Sequence, residues 1–175
     1  MKGSLPSVLK ISVVSALAIT PLLLSGNGAS ANPAMNDTYV GAGVTGSVTR
    51  GDSPSQDAQF GGNITGRVAI PNVPISARAS VIFNDNTSAV VPVITYDMGV
   101  AKNTNVFVGG GASLVQNTGS NTPIGDQNAA VVTAGVESKV TNNLVLYGDT
   151  KVGINAYKDS ATPAITFSAG AGFNF

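Results

Sequence analysis

Eight segments of about ten residues alternate apolar and polar side chains with a period of two, and clusters of Gly, Pro, Asn, Asp and Ser separate them. They run over 38–50, 59–70, 75–84, 89–101, 105–115, 130–140, 144–155 and 164–175. No useful 3.6-residue periodicity interrupts them, so the chain reads as all-β. The first segment sets Val40, Ala42, Val44 and Val48 against Gly41, Gly43, Thr45 and Ser47. The last sets Ile165, Phe167, Ala169 and Ala171 against Thr166, Ser168 and Gly170. Apolar residues define the faces, so charge is a separate test. Arg67, Arg78, Asp97, Glu137, Lys139, Asp149 and Lys151 all fall on the polar parity. Chance would align seven such residues roughly once in a hundred, whereas a lipid-facing charge costs ~2–4 kcal/mol at the midplane of a membrane. Arg50 has the other parity but stands at a strand end, where its head can reach water.

The N-terminus differs from the rest. Lys2 and Lys10 flank an apolar run over residues 11–24, followed by small residues at Ala29 and Ala31. This is the layout of a cleavable secretory signal peptide over 1–31, and the run falls short of the ~20 residues of a spanning helix. The mature domain is then 32–175. Removing Lys2 and Lys10 leaves seven basic against nine acidic residues, a net charge of −2. No basic patch suggests nucleic acid. Cys is absent, so neither a disulfide nor a thiolate metal site is available. His is absent too, which removes the commonest general base and metal ligand. No cofactor is indicated.

The connections alternate in length. Residues 71–74, 102–104 and 141–143 make short turns, while 51–58, 85–88, 116–129 and 156–163 are mostly longer. Membrane barrels show short periplasmic turns and longer outer loops, and an even strand count returns both termini to the periplasmic side. Pro92, inside the fourth segment, cannot donate to a ladder and predicts a bulge near the outer rim.

The final eight residues carry the most specific signal. Ser168, Gly170, Phe173 and the terminal Phe175 occupy the polar, glycine, hydrophobic and aromatic positions. They resemble the terminal strand of bacterial outer-membrane β-barrels, which the barrel-assembly machinery recognises. Together with the leader, strand count and loop alternation, residues 32–175 resemble the small eight-stranded outer-membrane barrels, the family of the outer-membrane protein A transmembrane domain. The resemblance implies an eight-stranded antiparallel up-and-down transmembrane barrel in the outer membrane of a Gram-negative-type cell, with outer-membrane lipid as its surroundings. It implies a scaffold and no particular activity.

Gly41 to Gly46 match GxGxxG, but a dinucleotide site needs that turn to open a helix, and these glycines lie within an alternating strand. The inward charges carry more. A tight turn at 71–74 sets Arg67 opposite Arg78, and facing like charges require acidic partners. Asp97 is expected as a diagonal neighbour of Arg78, with Glu137 and Asp149 at similar depth across a lumen just wide enough for side chains. Two readings follow. The charges seal the lumen as a satisfied ionic network, or a rearranged pair opens a narrow gated pore. Tyr39, Phe107 and Tyr147 point inward near the periplasmic end and favour closure there. Above the charges, Ser47, Thr49, Asn63, Ser80, Asn84, Ser113 and Thr166 predict a hydrated outward vestibule. The tip at 117–122 reads as a flexible, uncharged loop.

Other classes compete. Lipid-modifying barrel enzymes and outer-membrane proteases resemble this topology but depend on a catalytic His, which is missing; an unactivated Ser is a poor nucleophile. A soluble secreted barrel of the lipocalin kind would put the apolar faces inside and the charges outside. The terminal aromatic and the uncharged apolar face disfavour it. The sequence therefore favours a non-enzymatic outer-membrane barrel with a structural or surface-interaction role, with a narrow pore as the alternative.

Overall fold

The computed structural model describes residues 33–52, 57–117, 120–158 and 160–175. The expected leader, with Ala29 and Ala31, lies outside the described residues. Eight strands follow: β1 (Tyr39–Ser47), β2 (Phe60–Ala69), β3 (Ile75–Phe83), β4 (Ser88–Ala101), β5 (Thr104–Val115), β6 (Ala129–Lys139), β7 (Leu144–Ile154) and β8 (Ala164–Asn174). Each pairs antiparallel with its neighbour in the chain, and β8 pairs with β1, so the sheet closes into a barrel. Closure removes the unpaired edge that an open sheet would present.

The wall is inside-out relative to a soluble barrel. Val40 is 52% exposed and Ile94 56%, while Arg67 and Glu137 are 1% and 0% exposed. Val44, Ile64, Val68, Val108, Val132, Leu146 and Phe167 continue the outward apolar belt. A contiguous apolar surface of this kind is not tolerated in water but suits hydrocarbon, where every backbone polar group must be satisfied within the protein. The strands, 9 to 14 residues long, have the reach for it. The lipocalin-like alternative fails because the charges are inside.

The three short turns share one end of the barrel with both strand termini, and the four remaining loops share the other. Asn72 and Asn103, with φ of 64° and 62°, hold two of the short turns in the left-handed region that Asn tolerates. Arg67 pairs opposite Arg78 as expected. The bulge expected at Pro92 is absent. The β4–β5 ladder passes from Val90↔Leu114 to Val93↔Gly111 without a shift, and the irregularity falls between Gly99 and Ala101. Pro92 sits on the exposed face where the ladder is interrupted, so its missing N–H leaves the register intact.

The inward glycines of the β1–β8 seam make room for two rings. A Cβ at Gly170 would lie 2.4 Å from the Tyr147 hydroxyl, and one at Gly172 2.7 Å from a Tyr39 ring carbon. The GxGxxG run is therefore packing, with Gly41 also against the Tyr147 ring. Gly170→Val is expected to displace Tyr147 and cost ~1–3 kcal/mol, read as a lower urea midpoint of the heat-modifiable folded band; an unchanged midpoint would show that the seam has slack.

Candidate functional site in the lumen

Strand pairing opposes two guanidinium groups, and two carboxylates from other strands resolve the repulsion. Asp97 Oδ2 lies 2.8 Å from Arg67 Nη2, and its Oδ1 lies 3.0 Å from Arg78 Nη2. Glu137 Oε2 lies 2.8 Å from Arg78 Nη1, and its Oε1 3.3 Å from Arg67 Nε. Each carboxylate thus bridges both arginines, and the four side chains are 0–7% exposed. The formal charge of the cluster is zero, as burial demands.

Neutral groups complete it. Ser76 Oγ donates to Asp97 Oδ2, and Thr95 Oγ1 donates to Oδ1 at 3.0 Å. Arg67 Nε donates to Ser76 at 3.0 Å and Arg78 Nε to Thr95 at 2.9 Å. Tyr39 donates to Glu137 Oε2 at 3.1 Å and stacks on Tyr147 with centroids 6.1 Å apart. The Arg78 guanidinium lies 3.8 Å over the Phe107 ring, a desolvated cation–π contact.

The register differs from expectation in one respect. Arg78 pairs with Val93, so Asp97 is four residues along β4 from Arg78's opposite position, and the long arginine side chain spans the gap. Of the expected network, only Arg67, Arg78, Asp97 and Glu137 meet. Asp149 does not join them; it pairs with Lys151, both buried, nearer the loop end. Lys139 faces the opposite mouth and pairs with Asp37 at 2.9 Å.

Asp37 belongs to the lead-in to β1, a polar stretch with no periodic pattern of its own. This lead-in forms a plug. Residues 33–38 fold under the barrel, with Met35 3% exposed against Tyr39, Val145 and Tyr147. Arg67 donates to the Asp37 carbonyl at 2.8 Å and the Met35 carbonyl at 3.2 Å. Asn105, fully buried, accepts from the Ala34 N–H at 2.7 Å and donates to the Met35 carbonyl at 2.8 Å and to Glu137 at 3.2 Å. Asp37 Oδ1 also accepts from Asn174 at 3.0 Å, tying the plug to β8. Parity marks Ser76, Thr95 and Asn105 as inward in the sequence. Nothing there marks the plug, because its contacts are non-periodic and span about 70 residues or more to Asn105 and Lys139.

The hydrated vestibule is overturned at four of its seven positions, while Ser47, Thr49 and Asn84 are half-buried. Asn63, Ser80, Ser113 and Thr166 are 0–4% exposed. Asn63 is held by the Tyr147 hydroxyl at 2.6 Å, and Ser80 lies 3.0 Å from Thr65. One wall is apolar: Ile82, Val91, Val93, Val115 and Val131 pack around Ile124, which enters from the β5–β6 loop. The tip is not free either, since Thr122 is fully buried and Asn121 donates to the Asp57 carbonyl at 2.7 Å. Between this apolar group and the ionic cluster, a cavity of about 10 Å³ bordered by Phe107, Thr133, Asp149 and Lys151 is at the size of one water.

Ser168, Gly170, Phe173 and Phe175 separate by face. Ser168 accepts from Thr45 at 2.9 Å inside the lumen, Gly170 abuts Tyr147, and the two Phe rings are 60% and 78% exposed on the outer surface.

No family model and no curated protein matches the chain. Solved structures do. Ail, the attachment invasion locus protein of Yersinia pestis, is 14% identical, with 81% of this chain and 100% of that one aligned at a TM-score of 0.55. Neisserial surface protein A is 19% identical over 85% of this chain and 100% of that one, TM-score 0.53. A de novo designed transmembrane β-barrel aligns over 85% of this chain and 100% of its own, at 13% identity and TM-score 0.53. The fold is that of the small eight-stranded outer-membrane barrels. At these identities the likeness extends to the fold alone.

Glu137→Ala leaves two buried guanidinium groups facing one carboxylate and is expected to cost ~3–5 kcal/mol of stability. Lys139→Ala, at a pair whose members are 24% and 26% exposed, is expected to cost ~1 kcal/mol or less. Urea unfolding of the two variants in one lipid system checks the contrast; equal losses would show that the cluster does not act as a unit.

Proposed function

We propose that the protein is a non-enzymatic integral barrel of the outer membrane, with its termini in the periplasm and its loops outside. Residues 1–31 act as a leader cleaved after Ala31. The β8 terminus, through Ser168, Gly170, Phe173 and Phe175, is the assembly signal read by the barrel-assembly machinery. The lumen is closed to solutes, and the protein serves as a scaffold or contact surface. One observation carries the reading: the lumen is filled at three levels, by the 33–38 plug, the Arg67–Arg78–Asp97–Glu137 cluster and the group around Ile124. The absence of His from the whole sequence supports a role without catalysis.

The outer face has a chemistry of its own. Segments 48–59, 84–87, 116–128 and 155–163 carry two basic residues, Arg50 and Lys158, against five acidic ones. Ail has been crystallised with the heparin analogue sucrose octasulfate, but an acidic loop face disfavours a sulfated polyanion here and favours a neutral or cationic partner. The loops are also tied together. Asn84 donates to the Asn121 carbonyl at 2.8 Å, and Gln127 to the Tyr157 carbonyl at 3.0 Å. Tyr157 donates to the Thr49 carbonyl at 3.1 Å, and burial raises its pKa above the ordinary tyrosine value, so it stays a donor. Such a face is pre-organised for contact.

Planar-bilayer recording tests the closed lumen. The mature barrel is expected to give no discrete current steps. A variant lacking residues 33–37 is expected to remain silent, because the cluster still blocks the path. It should lose several kcal/mol of stability, since hydrogen bonds to a charged group contribute ~1.5–3 kcal/mol each. Discrete steps in the intact barrel, with ion selectivity altered in Arg78→Ala, would replace the sealed reading with the gated pore.

A further inference from the structure

We propose that the loop-end half of the lumen is a binding pocket for a small neutral aliphatic molecule bearing one hydrogen-bonding group, held shut by the chain's own Ile124. The pocket stands above the ionic cluster and does not depend on whether the lumen conducts.

Most inward positions of this barrel are polar. Besides the apolar group of Met35, Tyr39, Val145 and Tyr147 at the terminal end, the loop end holds a compact aliphatic patch formed by Ile82 of β3, Ala89, Val91 and Val93 of β4, Val115 of β5 and Val131 of β6, all 0–8% exposed. Aliphatic side chains facing the lumen gain by burial only when something apolar covers them. Ile124 covers it, fully buried, and it comes from a loop, not a strand. No rung of the sheet depends on it.

The way Ile124 is held suits a removable occupant. It rides on a tight turn in which Thr122 and Gly125 exchange backbone hydrogen bonds of 2.9 and 3.0 Å. The Thr122 hydroxyl braces the turn, accepting from the Ile124 N–H at 3.2 Å. Gly125, with φ of 108°, abuts the Ala156 carbonyl so closely that a Cβ would lie 2.2 Å from it. The turn therefore lies flat on the β7–β8 loop, anchored by backbone bonds from Asp126 and Gln127 to the Ala156 carbonyl at 2.9 and 3.2 Å. These bonds have water as a ready substitute once the turn lifts.

A second observation specifies the ligand. Ser113 faces the lumen on β5, opposite Ala129 of β6 and two residues from Val115 of the patch. It is fully buried, and its hydroxyl has no hydrogen-bond partner among the described residues. A buried hydroxyl left unpaired is costly, and Ile124 cannot satisfy it. An aliphatic molecule with one hydroxyl or carbonyl would cover the valines and partner Ser113 together. An ionised head is excluded, because nothing within the patch compensates a charge. The patch spans Ala89 to Val93 along β4, about 13 Å at ~3.3 Å per residue, which fits a short chain.

The test is a titration of the full mature barrel in lipid nanodiscs with 1-hexanol, followed by NMR of isoleucine methyl groups. Ile64 and Ile94, on the lipid-facing surface, report simple partitioning into the bilayer. The expected result is a saturable shift at Ile82 and Ile124, with Ile124 moving towards an exposed methyl position. Hexane should bind roughly three- to tenfold more weakly than hexanol, as one hydrogen bond predicts. Ser113→Ala should abolish that difference, and Ile124→Gly should tighten hexanol binding by removing its competitor. Shifts confined to Ile64 and Ile94, or equal binding of hexanol and hexane by the unaltered barrel, would overturn the proposal. That last comparison needs no variant, so misfolding of either one does not obscure it.

Discussion

Arg67 and Arg78 face each other across adjacent strands because a four-residue turn leaves the register no alternative. Their repulsion inside a narrow lumen sets the terms for everything around them. Two carboxylates, from β4 and β6, must reach the same point, and each must bridge both guanidinium groups. This links strands that do not neighbour one another in the sheet. The arginines carry more N–H groups than the carboxylates can accept, so the surplus falls to Ser76, Thr95 and two carbonyls of the lead-in. The plug is thus a consequence of the cluster. Arg67 supplies donors at the mouth, and the lead-in is the segment close enough to accept them.

The two ends of the lumen are closed by different physics. At the terminal end, closure is polar and cooperative, with Asn105 and Asp37 each serving several partners. Removing one member leaves others unsatisfied in a medium of low dielectric. At the loop end, closure is apolar and local, resting on one isoleucine over a group of valines. Apolar contact is non-directional, so that end can exchange its occupant without leaving a charge exposed. A barrel that conducted ions would need the first kind of closure to yield. One that bound a small molecule would need only the second.

Much of the fold was legible in the residues. Period-2 alternation located all eight strands, and the parity of the seven strand charges placed them inside. Reading the same parity further would have shown Ile82, Val91, Val93, Val115 and Val131 pointing inward. The vestibule expectation failed because it weighed only the polar members of those rows. Pro92 misleads in the opposite direction: a missing N–H predicts a bulge, yet an interrupted ladder accommodates it without a shift. Depth alone groups Asp149 with the arginines, although Lys151, two residues away on the same face, is the nearer partner.

By itself the sequence determined the strand count, the face that meets lipid and the confinement of charge to the interior, since each follows from a local period of two and a large penalty for error. Tertiary structure alone decided which charges meet, that residues 33–38 turn back into the barrel, and that a loop residue fills the far end. Those outcomes depend on distances between residues remote in the chain, as from Asp37 to Lys139 and Asn174. No local pattern encodes such distances. They exist only once the barrel has closed and its curvature has brought non-neighbouring strands within a side chain's length.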